Sequence, residues 1–187
     1  MKKKIIITGG LGYIGTELCR LYSGVSWHHN ILVVDNRFIS ERVNQIRNWN
    51  MDFIHGDILN KDLVSKYFKK ADVVHHLAGI TSVPRTKSES SREIDDKIKL
   101  VAIEGTQNIL DTISNECKLI FPSTHVVFEG MSEVKKDIKE DETTLPVLSY
   151  SSSKAENEKQ LKKSGKNYVI LRLGSVYGYS NDTMRID

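Results

Sequence analysis

The stretch Lys4-Ile5-Ile6-Ile7-Thr8-Gly9-Gly10-Leu11-Gly12-Tyr13-Ile14-Gly15 decides the fold of this chain. It opens with a run rich in β-branched residues, which is typical of a buried strand, and leads into 13–21, where apolar residues recur at helical spacing. Between them, Gly9 permits a tight turn, Gly12 lets the backbone approach a pyrophosphate, and Gly15 lets the helix pack on the strand. The stretch therefore predicts a strand, a turn and a helix whose N-terminal N–H groups bind phosphates.

A second signal lies at the end of the next apolar run. Residues 31–34 read Ile-Leu-Val-Val and lead into Asp35, twenty residues after Gly15. At that spacing a carboxylate accepts hydrogen bonds from the adenosine ribose of a dinucleotide, and it repels a 2′-phosphate. The position of Asp35 therefore favours NAD over NADP. Two alternatives stay open, because Arg37 could accommodate a 2′-phosphate and because Asp35 could instead cap a loop.

Strand and helix patterns alternate along the rest of the chain. Further strands are predicted at 51–55, 71–78, 118–121 and 168–173, and helices at 42–49, 60–69, 93–114 and 150–163. Regular alternation predicts a single α/β domain, with a doubly wound parallel sheet and helices on both faces. Ligands of such sheets lie at the carboxyl ends of the strands, near the point where the strand order reverses.

Composition and charge narrow the class of protein. A chain of 187 residues, 39% hydrophobic and 27% charged, suits one globular domain, and its two cysteines provide no disulfide framework, so we expect a cytoplasmic protein. No stretch approaches the roughly 18 apolar residues of a membrane span, and the apolar run after the lysines at 2–4 is too short for a signal peptide. The net charge of +3 forms no basic stripe, which argues against nucleic acid as a partner.

Tyr150 and Lys154 carry the catalytic prediction. They lie four residues apart on a predicted helix, so both side chains leave the same face. A phenol is a poor base at neutral pH, but a lysine cation beside it favours the phenolate form. A phenolate can remove a hydroxyl proton while the adjacent carbon gives a hydride to a nicotinamide, and in reverse the phenol protonates a carbonyl oxygen. The spacing also arises by chance, so its weight comes from its place in a glycine-loop protein.

Ser123, Thr124 and His125 follow the predicted strand at 118–121 and would lie at the same crevice. Thr124 adds a hydroxyl that can orient the proton transfer, with the alternative that it only satisfies the backbone at the strand end. His125 would lie at the mouth of the crevice, where it could contact a substrate, with the alternative that it is an ordinary exposed loop residue. Adjacent strand residues point to opposite faces, so His75 and His76 do not share an ion, and we expect no metal site.

Taken in order, these motifs resemble the extended short-chain dehydrogenase/reductase family, specifically its NAD-dependent nucleotide-sugar epimerase/dehydratase branch. The resemblance covers nearly the whole chain and rests on 8–15, 35–36, 56–58, 76–79, 104–110, 150–154 and 171–178. It implies a Rossmann-type fold, NAD as the cofactor and a nucleotide-diphosphate sugar as the substrate. The implied reaction is hydride transfer between a sugar carbon and NAD, through a keto intermediate.

The resemblance also gives roles to individual residues. It implies that the catalytic triad is Thr124, Tyr150 and Lys154. It adds Ser175 to the candidates for substrate contact, which are then Ser123, His125 and Ser175. Along the cofactor it places, besides Tyr150 and Lys154, the residues Gly9, Gly12, Tyr13, Ile14, Gly15, Asp35, Asn36, Asp57, Ile58, Leu77, Ala78, Gly79 and Thr81. It further implies a homodimer whose four-helix bundle uses 93–114 and the helix from Tyr150.

Four departures from the family pattern bear on the activity that we expect. Ala102 stands where asparagine is common, and Val127-Phe128-Glu129 replaces the common Val-Tyr-Gly. His125-Val126 replaces the Asp-Glu pair with which sugar 4,6-dehydratases eliminate water, so this reaction is disfavoured and epimerisation or keto reduction is expected. Members of this branch usually continue well beyond residue 187. We therefore expect 1–187 to be an N-terminal portion that lacks the usual C-terminal substrate-binding lobe and can be inactive by itself.

Two other functions remain as alternatives to an epimerase/dehydratase that recycles its NAD. A dehydrogenase or ketoreductase would use the same Tyr150 and Lys154 but exchange NAD(P)(H) with solvent, and net redox turnover would distinguish it. A non-catalytic dinucleotide-binding module would keep the glycine loop and lose turnover. Retention of Thr124 together with Tyr150 and Lys154 argues against this last function.

Overall fold

Six parallel strands form the main sheet of the protein, in a computed structural model that describes residues 2–81, 91–133, 135–180 and 183–185. The strands are β1 (Lys4–Thr8), β2 (Asn30–Asp35), β3 (Asp52–His55), β4 (Val73–His76), β5 (Lys118–Thr124) and β6 (Asn167–Leu173). Their order is β3-β2-β1-β4-β5-β6, so the direction of winding reverses between β1 and β4. This order confirms the predicted Rossmann-type, doubly wound α/β fold.

Five helices of the described ranges pack on the sheet. They are α1 (Tyr13–Ser23), α2 (Ser40–Asn48), α3 (Lys61–Phe68), α4 (Arg92–Thr112) and α5 (Ser149–Lys163). Asn60 and Ser91 begin α3 and α4 as capping residues, since their side-chain oxygens accept from the backbone N–H groups of Leu63 and Ile94. No helix among the described residues has the length and apolar character needed to cross a bilayer.

Apolar side chains of β1 divide between the two faces of the sheet. Ile6 packs with residues of α3, α4 and α5, whereas Ile5 and Ile7 pack with residues of α1 and α2. Each of the three isoleucines is buried, because adjacent strand residues point to opposite faces and both faces are covered. The continuous apolar run in the sequence therefore follows from a strand that is buried on both sides.

The structure extends the predicted elements near the carboxyl end of the sheet. β5 continues past the predicted end at Phe121 to Thr124, because it pairs with β6 along its whole length. Beyond β6, β7 (Gly178–Ser180) and β8 (Thr183–Arg185) form a short antiparallel pair that the sequence did not predict. Tyr13 Oη donates to the Gly178 carbonyl at 2.6 Å, so this segment is tied to the first residue of α1.

Candidate active site

A crevice of about 1120 Å³ opens at the carboxyl ends of the parallel strands, where the winding of the sheet reverses. Every residue predicted for the cofactor, the substrate or the catalytic step lines this crevice. They come from the loops after β1 and β4, from the first turn of α1, from the ends of β2 and β5, from α5, and from the segments after β3 and β6. The structure therefore brings these residues together, while their individual roles stay predictions.

The glycine loop between β1 and α1 offers bare backbone to this crevice. Gly9 has a φ of +67°, which favours glycine, and a Cβ there would also meet the backbone nitrogen of Ala78 at 2.8 Å. At Gly15, a Cβ would meet the Cα of Gly10 at 2.7 Å. Gly12 precedes α1 and brings no side-chain oxygen to its first turn. The loop is thus a cradle at a helix N-terminus, which is where a pyrophosphate binds.

Asp35 both holds the glycine loop and faces the crevice. Its Oδ2 accepts from the backbone N–H of Leu11 at 2.9 Å, and its Oδ1 accepts from the backbone N–H of Arg37 at 2.9 Å and from Arg37 Nε at 3.3 Å. A carboxylate has about four acceptor positions, so three internal bonds leave capacity for a ribose hydroxyl. The loop-capping alternative is therefore compatible with a ribose contact.

The ends of β2 and β3 are joined beside Asp35. Asn36 Nδ2 donates to Asp57 Oδ2 at 3.1 Å, and Asp57 Oδ1 accepts from the backbone N–H of Leu59 at 2.9 Å. Asn108 on α4 donates to the carbonyl of the buried Ile58 at 3.0 Å. These bonds fix the wall of the crevice where the resemblance implies adenine contacts for Asp57 and Ile58.

Sequence reasoning missed two cationic side chains that line the crevice, Arg42 and Lys97. Arg42 belongs to α2 and is 7% exposed. Its Nη1 donates to the Leu11 carbonyl of the glycine loop. Its place beside Val43 and Ile46 on the buried side of α2 is a sequence signal that could have identified it. Lys97 lies on α4 among other charged residues, so the sequence contains no comparable signal for it.

Tyr150 and Lys154 project from the first turns of α5 into the crevice. Lys154 Nζ donates to the Pro122 carbonyl on β5 at 2.8 Å. It lies 4.4 Å from the ring centroid of Phe121 and 6.0 Å from that of Tyr150. Burial lowers the pKa of Lys154 to about 8. The ammonium group is therefore held by β5 beside the phenol ring.

Three hydroxyl and imidazole groups near the end of β5 have distinct surroundings. Thr124 Oγ1 accepts from the backbone N–H of Val126 at 3.2 Å, and its hydroxyl proton stays available for donation. His125 Nδ1 lies 3.2 Å from the Leu173 carbonyl, which can only accept, so neutral His125 has Nε2 as its acceptor. Ser123 is buried and donates to Glu158 Oε1 at 2.6 Å, so its hydroxyl proton is already used within the protein.

Ser175 occupies the other side of the candidate substrate region. It lies exposed in the segment that follows β6 and lines the crevice together with its neighbours Gly174 and Val176. Its side chain is therefore placed where a bound molecule could reach it.

The histidine pair on β4 points to opposite faces, as predicted. His75 Nε2 pairs with Tyr22 Oη at 2.8 Å, while His76 lies between Thr8 Oγ1 at 3.1 Å and Thr106 Oγ1 at 2.9 Å. Burial lowers the pKa of His75 to about 4, and burial together with the Lys154 cation lowers that of His76 to about 3. Both are neutral hydrogen-bonding groups, and the described ranges contain no cluster of three His, Cys, Asp or Glu residues that could hold a metal ion.

The chain is similar to a known family and to known proteins over most of its length. The model of the NAD dependent epimerase/dehydratase family matches residues 5–186. The dTDP-D-glucose 4,6-dehydratase of Dictyostelium discoideum is 27% identical, over 94% of this chain and 44% of that protein. The CDP-paratose 2-epimerase of Salmonella typhi is 29% identical, over 94% of this chain and 58% of that protein.

A similar fold occurs in a solved structure with bound ligands. UDP-glucuronic acid 4-epimerase from Bacillus cereus, in complex with UDP-glucuronic acid and NAD, matches with a TM-score of 0.71 and 28% identity. The match covers 90% of this chain and 55% of that one. The chain thus spans about half the length of the relatives that it matches.

Proposed function

This chain belongs to the NAD-dependent epimerase/dehydratase family, and we propose that it is the NAD-binding domain, with the catalytic residues, of a nucleotide-sugar epimerase or a close relative. One observation carries the proposal. Tyr150 and Lys154 line the same crevice as the glycine loop and Asp35, so a nicotinamide cofactor and an acid–base pair can act on one substrate. The proposed substrate is a nucleotide-diphosphate sugar, in keeping with the names of the relatives.

The residues present fit NAD. The bare backbone of the glycine loop, which a Cβ at Gly9 or Gly15 would fill, suits the pyrophosphate, and Asp35 suits the adenosine ribose. The remaining cofactor candidates continue along the crevice through 77–79 and Thr81. When bound, NAD would supply the hydride acceptor and, once reduced, the hydride donor.

The side chains of this chain would supply the proton transfer. Tyr150, as the phenolate, removes the proton of a sugar hydroxyl, and as the phenol it returns a proton to the keto oxygen. The Lys154 ammonium stabilises the phenolate, and Thr124 donates its hydroxyl proton to the reacting oxygen. His125, with Nε2 as acceptor, and Ser175 would contact the sugar. Ser123 would act in this region as an acceptor, since its hydroxyl proton is donated to Glu158 while its oxygen can still accept.

We favour epimerisation over elimination or net reduction. Elimination of water needs an acid and a base beside the sugar, and His125-Val126 supplies no carboxyl pair after Thr124. Net reduction would require the cofactor to exchange during each turnover. Conversion of a nucleotide sugar to a product of unchanged mass, without accumulation of NADH, would support epimerisation. A product that has lost one water would support elimination, and stoichiometric NADH formation would support a dehydrogenase.

The first experiment is calorimetric titration of the 187-residue chain with NAD and NADP, in parallel with UDP-sugars and dTDP-sugars. We expect saturable binding of NAD, weaker binding of NADP, and weak binding of the sugars. The Asp35→Ala variant should bind NAD more weakly, because it removes the proposed ribose contact together with the bonds that Asp35 makes to Leu11 and Arg37. A chain that is folded and binds neither dinucleotide would contradict the proposal.

We further propose a cytoplasmic homodimer built on α4 and α5. Cys19 and Cys117 are buried and unbridged, which suits a reducing compartment. The two helices pack side by side, with Gln160 Nε2 donating to the Ile103 carbonyl and to Gln107 Oε1 at 3.1 Å each. Sedimentation velocity tests the assembly, and a monomer at all concentrations up to about 100 μM would contradict it.

A further inference from the structure

Glu129 holds the beginning of the catalytic helix from outside that helix. α5 starts at Ser149, and Leu148 at its N-cap has no side-chain oxygen that could accept a hydrogen bond. Glu129 Oε1 accepts from the backbone N–H groups of Val147 and Leu148, both at 2.7 Å, and from the hydroxyl of Ser151. One carboxylate oxygen therefore meets three donors around the first turn.

These contacts supply what the local sequence of α5 lacks. In a capping box, a carboxylate or amide three residues after the N-cap accepts from the N-cap N–H. That position in α5 is Ser151, whose hydroxyl has one proton and lies between Glu129 Oε1 and the Leu148 carbonyl, so it offers no acceptor of the capping-box kind. Glu129, 22 residues earlier in the chain, provides the acceptor, and its negative charge lies at the positive end of the helix dipole.

The charge on Glu129 is maintained by the same donors. Burial raises the pKa of Glu129, but the hydrogen bonds from Ser151, Leu148 and Val147 outweigh it, so the pKa lies below its ordinary value. The carboxylate is therefore ionised at neutral pH, when it is the stronger acceptor.

Backbone hydrogen bonds of its neighbours hold Glu129 in place. Gly130 N–H donates to the Leu145 carbonyl, and Leu145 N–H donates to the Val127 carbonyl, both at 2.8 Å. Val127 is completely buried. The backbone on both sides of Glu129 is thus held in place, so its side chain can hold the start of α5 in a fixed position.

We propose that Glu129 is a positioning residue for Tyr150. The catalytic role of Tyr150 rests on the proposed function, whereas the contacts that hold the start of α5 do not. Tyr150 is the second residue of α5 and lies between Leu148 and Ser151, the two residues of the helix start that Glu129 holds. Lys154 is anchored separately, by the Pro122 carbonyl. Loss of Glu129 would therefore displace the phenol relative to an ammonium group that stays in place.

The test observes Tyr150 directly. The chain is labelled uniformly with 3-fluorotyrosine, and the ¹⁹F resonance of Tyr150 is identified as the one that disappears in Tyr150→Phe. We expect Glu129→Ala to shift and broaden this resonance while those of the other six tyrosines are unchanged. Glu129→Gln keeps an acceptor oxygen and should give a smaller change. Glu156→Ala is the matched control, because it removes an exposed carboxylate of α5 that pairs with Lys159.

The same variants separate positioning from folding and from cofactor binding. We expect the Glu129 and Glu156 variants to bind NAD within about twofold of the unsubstituted chain. In a form of the enzyme that turns over, we expect Glu129→Ala to lower kcat for a nucleotide sugar roughly 10- to 100-fold, since small misplacements of reacting groups are costly. An unchanged Tyr150 resonance in folded Glu129→Ala would overturn the inference. If that variant does not fold, an unchanged resonance in Glu129→Gln would overturn it. Failure of the unsubstituted chain to bind NAD would instead contradict the proposed function, because the ¹⁹F signal does not depend on a ligand.

Discussion

At the scale of single residues, Tyr150 and Lys154 divide the acid–base work of the proposed site. Replacing Tyr150 by phenylalanine removes the one oxygen that exchanges a proton with the substrate and leaves the ring in place. We expect Tyr150→Phe, in a form of the enzyme that turns over, to lose roughly two to four orders of magnitude in hydride transfer. NAD affinity should stay within a few-fold. Single-turnover absorbance of NADH and calorimetry measure the two quantities, and a fully active variant would refute the role of Tyr150.

Asp35 determines the choice between NAD and NADP in this proposal. Its carboxylate repels a 2′-phosphate, and it also holds the Arg37 side chain at 3.3 Å. We expect Asp35→Ala to weaken NAD binding and to narrow the preference over NADP, because the repulsion disappears and Arg37 becomes available to a phosphate. The ratio of the two dissociation constants, measured by calorimetry, checks this.

Asp35→Asn separates the two roles of this side chain. It removes the charge, and its one amide oxygen can still accept either from the Leu11 N–H, as Oδ2 does, or from Arg37, as Oδ1 does. A ratio that stays at the unsubstituted value in both variants would mean that Asp35 only supports the glycine loop.

At the scale of elements, the junction between β1 and α1 depends on the absence of side chains. A Cβ at Gly15 would meet the Cα of Gly10 at 2.7 Å and the Gly9 carbonyl, and neither backbone group can move aside cheaply. We expect Gly15→Ala to reduce NAD affinity by more than about tenfold and to lower the thermal midpoint of unfolding by several degrees.

Gly24→Ala is the control for this substitution at the other end of the same helix. Gly24 has a φ of −66°, and a Cβ there would meet its nearest neighbour, the Leu21 carbonyl, at 4.0 Å. We expect the affinity and the midpoint to stay near those of the unsubstituted chain. Equal effects of the two alanines would show that the tight packing at Gly15 is unimportant.

Local sequence patterns predicted the elements well where burial determines which positions are apolar. The apolar run of β1 and the spacing in α1 are signals of this kind, because the sheet buries both faces of β1 and one face of α1. The end of β5 was predicted too early, since Pro122 and the polar residues after it interrupt the apolar run although the pairing with β6 continues. The short β7–β8 pair has no periodic signal at all.

Contacts between distant segments could not be predicted in the same way. The sequence marks Glu129 only as an unusual residue in its motif. Its contacts with the start of α5 could not be predicted, because its partners lie 18 to 22 residues further along the chain. Lys97 lines the crevice because α4 is oriented with this residue toward it. The spacing of apolar residues along α4 does not predict which of its charged residues faces the crevice. The glycine loop, Asp35 and the Tyr150–Lys154 pair could be predicted because each combines a fixed spacing with a specific chemistry.

At the scale of the whole molecule, the crevice is held together by polar bonds between elements as well as by the two apolar clusters. His76 on β4 bonds to Thr8 on β1 and to Thr106 on α4. Asn157 on α5 donates to the same Thr106 hydroxyl at 3.1 Å. Two strands that lead into site loops and two helices that line the crevice are therefore joined by one buried chain of hydrogen bonds. Groups in this region that change charge should affect the stability of the entire domain.

Lys154 should make the stability of the domain depend on pH in a defined direction. Burial lowers the pKa of Lys154 from 10.5 to about 8, whereas in the unfolded chain the lysine keeps its proton up to its ordinary pKa. Between these values the unfolded chain binds more protons than the folded one, so the contribution of Lys154 to the free energy of unfolding rises with pH.

We expect unsubstituted protein to gain stability relative to Lys154→Met as the pH increases from about 8 to 10.5, in urea unfolding curves recorded at matched ionic strength. Lys163→Met, at the exposed end of α5, controls for loss of a lysine as such. Parallel pH profiles for the unsubstituted chain and Lys154→Met would mean that the ammonium group is better solvated than its position between Phe121 and Pro122 implies.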